Sequence, residues 1–237
     1  DQVRWPGCGT GQRLVSTRGY LGCESLRAYR NKINPSFCGT RGRVCYNLPV
    51  PLPLLSRHLA LLEEMMKLQG KRIAYLVEDG FEDLEFWVPV MRLREEGADV
   101  IIVGSRMDRF HGKYRLEALP DVEASEVCAE VFDGLVVPGG WAPDKLRRYP
   151  AVLKLVREVY EQGKIIGAIC HAGSVLISAR IVQGHKATGS PGIRDDLVNA
   201  GAEWVDAPAF RDGNLVWGRV VEDIPAFCRE LVKALAE

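Results

Sequence analysis

Three short segments, residues 78–83, 138–144 and 168–173, hold side chains and backbone groups that could do chemistry together. In the third, Cys170 follows an apolar run and precedes small residues, which is the layout of a nucleophile elbow between a strand and a helix. The positive partial charge at a helix N-terminus favours a thiolate, so we expect a lowered pKa for Cys170. Most free cysteines are simply small buried hydrophobic residues. The adjacent His171 and the turn chemistry favour a nucleophile here.

His171 is the candidate base, because the sharp turn of an elbow lets sequence neighbours meet. Glu82 has two interpretations. It is either an acid that favours the first turn of a helix, or a hydrogen-bond partner for the Cys170 sulfur.

The second segment offers backbone groups and one aromatic ring. Gly139 and Gly140 would let backbone N–H groups approach an oxyanion, and Trp141 is expected to form a wall of the pocket. The remaining histidines, including His185, lack metal-ligand spacing and are predicted to be solvated surface residues. The sequence therefore predicts no metal and no cofactor.

Elements of alternating type must position these segments. Short apolar runs predict strands, and longer periodic segments predict helices. The predicted strands span 73–77, 100–103, 135–137, 164–169 and 215–217, and the predicted helices 82–96, 150–161, 172–179, 193–200 and 224–236. Strands buried on both faces and alternating with helices indicate a doubly wound α/β sheet. In such sheets the chemistry lies beyond the carboxyl ends of the strands, where the three segments fall.

The sequence pattern also predicts which face of the first helix, residues 82–96, is apolar. Leu84, Trp87, Val88 and Met91 recur at helical spacing, which predicts that they face the core.

Composition excludes several classes of protein. The chain of 237 residues has 31 basic and 31 acidic side chains, so no global field attracts nucleic acid or an anionic membrane. Seven cysteines at wide spacing, with no C-x-x-C, argue against a disulfide framework or a structural zinc site. No apolar run approaches the roughly 20 residues that span a bilayer. These features predict a cytoplasmic protein.

Residues 1–70 differ from the rest. They show no sustained apolar period, which predicts a disordered or mis-annotated N-terminal extension, with the folded domain at 71–237. Because Met65 and Met66 directly precede the first convincing strand, we hypothesise that residues 1–64 are an extended reading of the gene.

Four motifs, at residues 79–85, 137–144, 168–173 and 190–206, together resemble the PfpI branch of the ThiJ/PfpI superfamily. The resemblance covers 71–237 and implies a flavodoxin-like, mostly parallel sheet related to class I glutamine amidotransferase domains. It implies that Cys170 is the nucleophile, His171 its base and Glu82 the acid beside the sulfur. A further acid, donated by a neighbouring subunit, falls on Asp144, where archaeal members have Glu. A homo-oligomer, dimer or hexamer, would therefore complete the site.

The leading functional interpretation is a cysteine hydrolase of the PfpI type, an intracellular peptidase that acts through the Cys170 thiolate. One alternative is a glyoxalase or deglycase acting on methylglyoxal-type aldehydes or their protein adducts, since a thiolate attacks either kind of carbon. Another is a redox-sensing stress protein without turnover. A glutamine amidotransferase is disfavoured, because no His-x-Glu pair follows Cys170.

Overall fold

The computed structural model describes residues 2–3, 15–16 and 66–237. In chain order the strands are β1 (Gln2–Val3), β2 (Val15–Ser16), β3 (Arg72–Val77), β4 (Asp99–Gly104), β5 (Phe110–His111), β6 (Glu117–Ala118), β7 (Val122–Glu123), β8 (Gly134–Val137), β9 (Ile165–Ile169), β10 (Lys186–Ala187), β11 (Glu203–Trp204), β12 (Ala209–Asp212) and β13 (Leu215–Gly218). The α-helices are α1 (Asp83–Glu95), α2 (Ala142–Leu146), α3 (Pro150–Glu161), α4 (Gly173–Ser178), α5 (Arg194–Asn199) and α6 (Ile224–Ala236).

A seven-stranded sheet carries the site, in the order β12-β13-β9-β8-β3-β4-β7. All neighbours are parallel except β12 and β13. The central strands β8 and β9 are buried at every residue, which fits their continuous apolar sequences. Helix α1 packs beside α6, whereas α3 packs beside α4, so helices cover both faces. The predicted flavodoxin-like architecture is confirmed.

The folded part begins slightly earlier than the predicted boundary at residue 71. Leu68 is fully buried, and its N–H donates to the Glu96 carbonyl at 2.8 Å. β1 and β2 form a separate antiparallel pair. The predicted disorder of residues 1–70 and the hypothesis on residues 1–64 otherwise lie outside the described residues.

The predicted apolar face of α1 is wrong. Leu84, Val88 and Met91 are exposed by 49%, 40% and 63%, whereas residues such as Phe86 and Val90 are buried. The buried face also carries two acids, Asp83 and Glu85. These acids interrupt the apolar period, and the sequence pattern therefore indicated the outer face instead.

Among the described cysteines, Cys128 differs from the expectation that the cysteines are unpaired. Cys170 and Cys228 carry free thiols. Cys128 is disulfide-bonded, although the spacing of the cysteines had argued against pairing. In the described part of the chain, no helix is both long enough and apolar enough to cross a membrane.

Candidate active site

A sharp turn between β9 and α4 presents Cys170. β9 ends in extended backbone at Ile169, and Cys170 then adopts a φ of 60°, in the left-handed region. A 3₁₀ turn over Cys170–Ala172 leads directly into α4. A non-glycine residue in this region costs roughly 1–3 kcal/mol and persists only where the surroundings hold it. The predicted elbow is confirmed.

The same turn brings His171 to the thiol. Its Nδ1 lies 3.3 Å from the Cys170 Sγ. Burial, and secondarily the positive charge of Lys113, lowers the pKa of His171. The imidazole is therefore neutral at neutral pH and can accept the thiol proton.

The acid beside the sulfur is Glu85, not Glu82 as predicted. The Glu82 side chain is the N-cap of α1 and accepts the Glu85 N–H at 2.8 Å. Glu85 lies one turn further along the helix and is fully buried. Its Oε2 and the Cys170 Cβ lie 2.3 and 2.6 Å from the position that a Cβ on Gly139 would occupy, so the carboxyl group adjoins the thiol and interacts with it. The first of the two interpretations of Glu82, an acid at a helix start, is the one that the structure bears out.

Burial raises the pKa of Glu85 to about 7, and the interaction with Cys170 opposes this shift only in part. The buried oxygen Glu85 Oε1 has no hydrogen-bond partner among the described residues, so the ionised form is poorly stabilised there. A carboxyl group of this kind is ready to exchange a proton near neutral pH.

The pKa of the Cys170 thiol is also raised, contrary to the expectation from the sequence. Burial, followed by the negative charge of Glu85, raises the pKa of Cys170 to about 12, although a lowered pKa was predicted. The backbone N–H groups of Gly140 and His171 oppose the shift. Burial is the main reason for the difference, and the carboxyl group beside the thiol, which the sequence had not placed there, adds to it.

The two glycines of the second segment have different roles. The Gly139 N–H donates to Glu85 Oε2 at 2.9 Å, so it fixes the acid and is not free for an oxyanion, which corrects the prediction. A Cβ on Gly139 would lie 2.3 Å from that oxygen. The Gly140 N–H faces the sulfur and remains a candidate oxyanion donor. At a φ of +79°, Gly140 also packs against backbone of the first segment.

Trp141 and Lys113 lie beside the site. The Trp141 ring is 65% exposed, consistent with a wall of an open site. Lys113 Nζ lies 5.6 Å from the centre of that ring. Sequence reasoning missed Lys113 because it lies in a loop without a motif.

The structure places Asp144 on α2, exposed and paired with Arg148. No hydrogen bond of the described residues joins it to His171. Its role was predicted for a site shared between subunits and stays a prediction.

His185 was predicted to be solvated, but its side chain is mostly buried. It bonds the Tyr160 hydroxyl and an Asp212 oxygen, each at 2.7 Å. Among residues 66–237, no three His, Cys, Asp or Glu side chains are grouped closely enough to hold a metal ion.

The sheet order and the thiol at the elbow define a flavodoxin-like α/β protein with a free cysteine at a strand-to-helix turn. The chain belongs to the DJ-1/PfpI family, which matches residues 71–234.

Relatives carry several functional names. A protein of Pyrococcus horikoshii named deglycase is 41% identical over 164 residues, covering 69% of this chain and 99% of the relative. A putative cysteine protease of Bacillus subtilis is 38% identical over 172 residues, covering 70% and 99%. Among solved structures, a two-domain protein of Anabaena variabilis with DJ-1/ThiJ/PfpI-like and ferritin-like domains is similar at a TM-score of 0.69 and 40% identity. The match covers 70% of this chain and 48% of that one.

Proposed function

We propose that this protein is a cysteine-dependent enzyme that converts 2-oxoaldehydes, or their adducts with protein amines, into 2-hydroxy acids. The observation that carries the proposal is the position of the buried Glu85 carboxyl beside Cys170, where the Gly139 N–H holds it at 2.9 Å and burial raises its pKa to about 7. Such a group serves both as base and as acid near neutral pH, and an aldehyde isomerisation needs both. The name deglycase of the Pyrococcus relative supports the same chemistry.

In the first step the Cys170 sulfur bonds to the aldehyde carbon. The thiol proton passes through His171 to the carbonyl oxygen, giving a hemithioacetal. Glu85 as carboxylate then removes the hydrogen of that carbon as a proton and returns it to the neighbouring carbonyl carbon, while the hydroxyl proton of the first carbon passes to the oxygen of the second. The first carbon is thereby oxidised and the second reduced, and a hydroxyacyl thioester results. Water cleaves the thioester, releasing the 2-hydroxy acid and restoring the thiol.

The Gly140 N–H supports the first step in this mechanism. It points at the sulfur, so it is suitably placed to donate to the oxygen of a carbon bonded to that sulfur.

A peptidase is the second candidate. The distance of 3.3 Å between His171 Nδ1 and the sulfur suits acyl transfer, and one relative is named a putative cysteine protease. Against it, the Gly139 N–H is occupied by Glu85, leaving fewer donors for a tetrahedral oxyanion.

One substrate panel separates these candidates. Wild type should produce lactate from methylglyoxal, and Cys170→Ala should produce none. Glu85→Gln should lose about 10²- to 10⁴-fold in kcat, the usual contribution of a general acid or base. Hydrolysis of peptides that depends on Cys170, without lactate, would favour the peptidase. Oxidation of Cys170 by peroxide, with no turnover of either substrate, would favour the redox sensor.

The active form is proposed to be a homo-oligomer. Leu84, Val88 and Met91 follow one another at i, i+4 and i+7 on the outer side of α1, as an exposed apolar row. A second copy of this chain is the proposed occupant, since the family resemblance assigns the acid at Asp144 to a neighbouring subunit.

A further inference from the structure

We infer that Lys113 binds a carboxylate carried by the substrate, so that the preferred substrates are anionic molecules with a reactive carbonyl. This inference rests on the proposed function for its biological meaning. The carboxylate site itself is argued from the geometry around Lys113.

A buried acid fixes the loop that carries Lys113. Asp83, on the inner face of α1, accepts the N–H groups of Tyr114 and Leu116, each at 2.8 Å. The Lys113 N–H donates to the Phe81 carbonyl at 2.9 Å, so the loop is tied to the segment just before α1. A Cβ on Gly112 would lie 2.4 Å from an Asp83 oxygen, which shows how closely the loop and the acid pack.

This anchoring places the Lys113 charge at the site. Its positive charge lowers the pKa of both Glu85 and His171. The two groups flank the Cys170 sulfur, so a molecule bonded to that sulfur lies within the field of the ammonium.

The ammonium has aromatic neighbours, and no acid among the described residues forms an ion pair with it. Nζ lies 5.6 Å from the centre of the Trp141 ring and 5.7 Å from that of Tyr114. None of the ion pairs among the described residues includes Lys113. Both rings are exposed, by 65% and 72%, and leave the ammonium approachable between them.

A half-buried cation that has lost part of its hydration gains most from an anion supplied by a ligand. The rings contribute a weaker attraction, of about 0.5–1 kcal/mol at exposed positions. A carboxylate fits this cation, whereas a neutral aldehyde leaves it unpaired.

The alternative role for Lys113 is purely electrostatic, in which it adjusts the protonation of Glu85 and His171 and touches no ligand. That role would change the reactivity of Cys170 toward all reagents alike. Selectivity between an anionic and a neutral reagent of the same shape distinguishes the two roles.

Iodoacetate and iodoacetamide form such a pair, because they differ in carrying a carboxylate or an amide. We would measure the alkylation rate of Cys170 by mass spectrometry of its peptide, in wild type, Lys113→Met, Lys113→Arg and Lys154→Met. Lys154 is an exposed lysine on α3 and controls for the lost charge. The expected result is a fall of about tenfold in the iodoacetate to iodoacetamide rate ratio in Lys113→Met. Lys113→Arg and Lys154→Met should keep the wild-type ratio.

An unchanged ratio in Lys113→Met, including equal slowing with both reagents, would overturn the inference. The alkylation test needs no enzymatic turnover, so its outcome does not depend on whether the proposed function is correct. If the iodoacetate to iodoacetamide ratio falls in Lys113→Met but wild type produces no lactate, only the proposed function is rejected. If wild type produces lactate but the ratio is unchanged in Lys113→Met, only this inference is rejected.

The same variants also test the substrate class. 4,5-Dioxopentanoate is a 2-oxoaldehyde with a carboxylate, and its methyl ester is the neutral counterpart. Wild type should prefer the acid in kcat/KM by about tenfold or more, and Lys113→Met should lose that preference, with a larger loss on the acid than on the ester. Equal losses on both substrates would contradict a role in binding.

Discussion

Cys170 and Glu85 are two acids in one buried space, and each makes ionisation of the other more costly. Burial raises the pKa of both groups, and the negative charge of Glu85 raises that of the thiol further. The pair titrates as a unit, so it keeps one proton at pH values where two isolated acids would have lost theirs. In the proposed mechanism, addition to the carbonyl moves the thiol proton, and Glu85 as carboxylate then moves the proton of the bonded carbon.

The shift of Glu85 has a stability consequence. A carboxyl group whose pKa rises from 4.5 to about 7 on folding binds its proton more tightly in the folded state. Its contribution to stability is therefore most favourable below pH 4.5, falls as the pH rises, and levels off above pH 7. The full shift corresponds to a cost of about 3 kcal/mol.

We expect Glu85→Gln to be more stable than wild type at pH 8 by an amount approaching that cost, and much less so at pH 5. Urea unfolding at both pH values measures this difference. Glu82→Gln is the matched control: its amide oxygen can still accept the Glu85 N–H, so the loss should stay below about 1 kcal/mol and change far less with pH than the effect of Glu85→Gln. A stability difference between Glu85→Gln and wild type that is independent of pH would contradict the assignment.

At the scale of elements, a side chain of the sheet supplies the hydrogen bond that a proline in α1 cannot make. Pro89 has no N–H, so the carbonyl of Glu85, four residues earlier, lacks its helical donor. The hydroxyl of the buried Tyr75 on β3 donates to that carbonyl at 2.6 Å. The backbone of the catalytic acid is thus held by a strand side chain.

Tyr75→Phe should leave the Glu85 carbonyl buried and unpaired. We expect a loss of about 1–3 kcal/mol of stability, measured by urea unfolding, together with reduced activity. Tyr114→Phe, at a tyrosine that is 72% exposed, controls for the loss of a hydroxyl group in the stability measurement. Wild-type stability in Tyr75→Phe would show that the hydrogen bond does not support the helix.

The sequence predicted one half of the site better than the other. The elbow at Cys170 and His171 depends on a local pattern, a buried strand followed by small residues. Such a pattern can be recognised from the sequence alone. The acid was assigned to Glu82 from its position at the start of the helix and from the resemblance to PfpI proteins, and the apolar period had placed the wrong face of α1 inward. A buried acid cannot be distinguished from a surface acid by residue type, and Glu85 was therefore missed. Lys113 reaches the site only through contacts of Asp83 with a distant loop, and these have no local signature.

At the scale of the whole molecule, the site is proposed to be complete only in an assembly. Val88 lies in the middle of the exposed apolar row on α1. Val88→Glu should shift the protein toward a single chain in sedimentation velocity, because burying an unpaired charge in an interface is costly. If Asp144 of a second copy orients His171, activity should fall in parallel.

Leu119→Glu is the matched control, since Leu119 is 56% exposed and lies outside α1. It should leave the assembly unchanged. A wild-type protein that sediments as a single chain and is fully active would contradict the shared site.

The pH dependence of Cys170 alkylation by iodoacetamide tests the pairing of Cys170 with Glu85 most directly. It would be compared in wild type, Glu85→Gln and Glu82→Gln, followed at the Cys170 peptide. Removing the charge of Glu85 should move the midpoint for Cys170 to lower pH by at least about one unit, whereas Glu82→Gln should leave it where it is in wild type. A midpoint that moves in Glu82→Gln but not in Glu85→Gln, or that moves in neither variant, would contradict the pairing of Cys170 with Glu85.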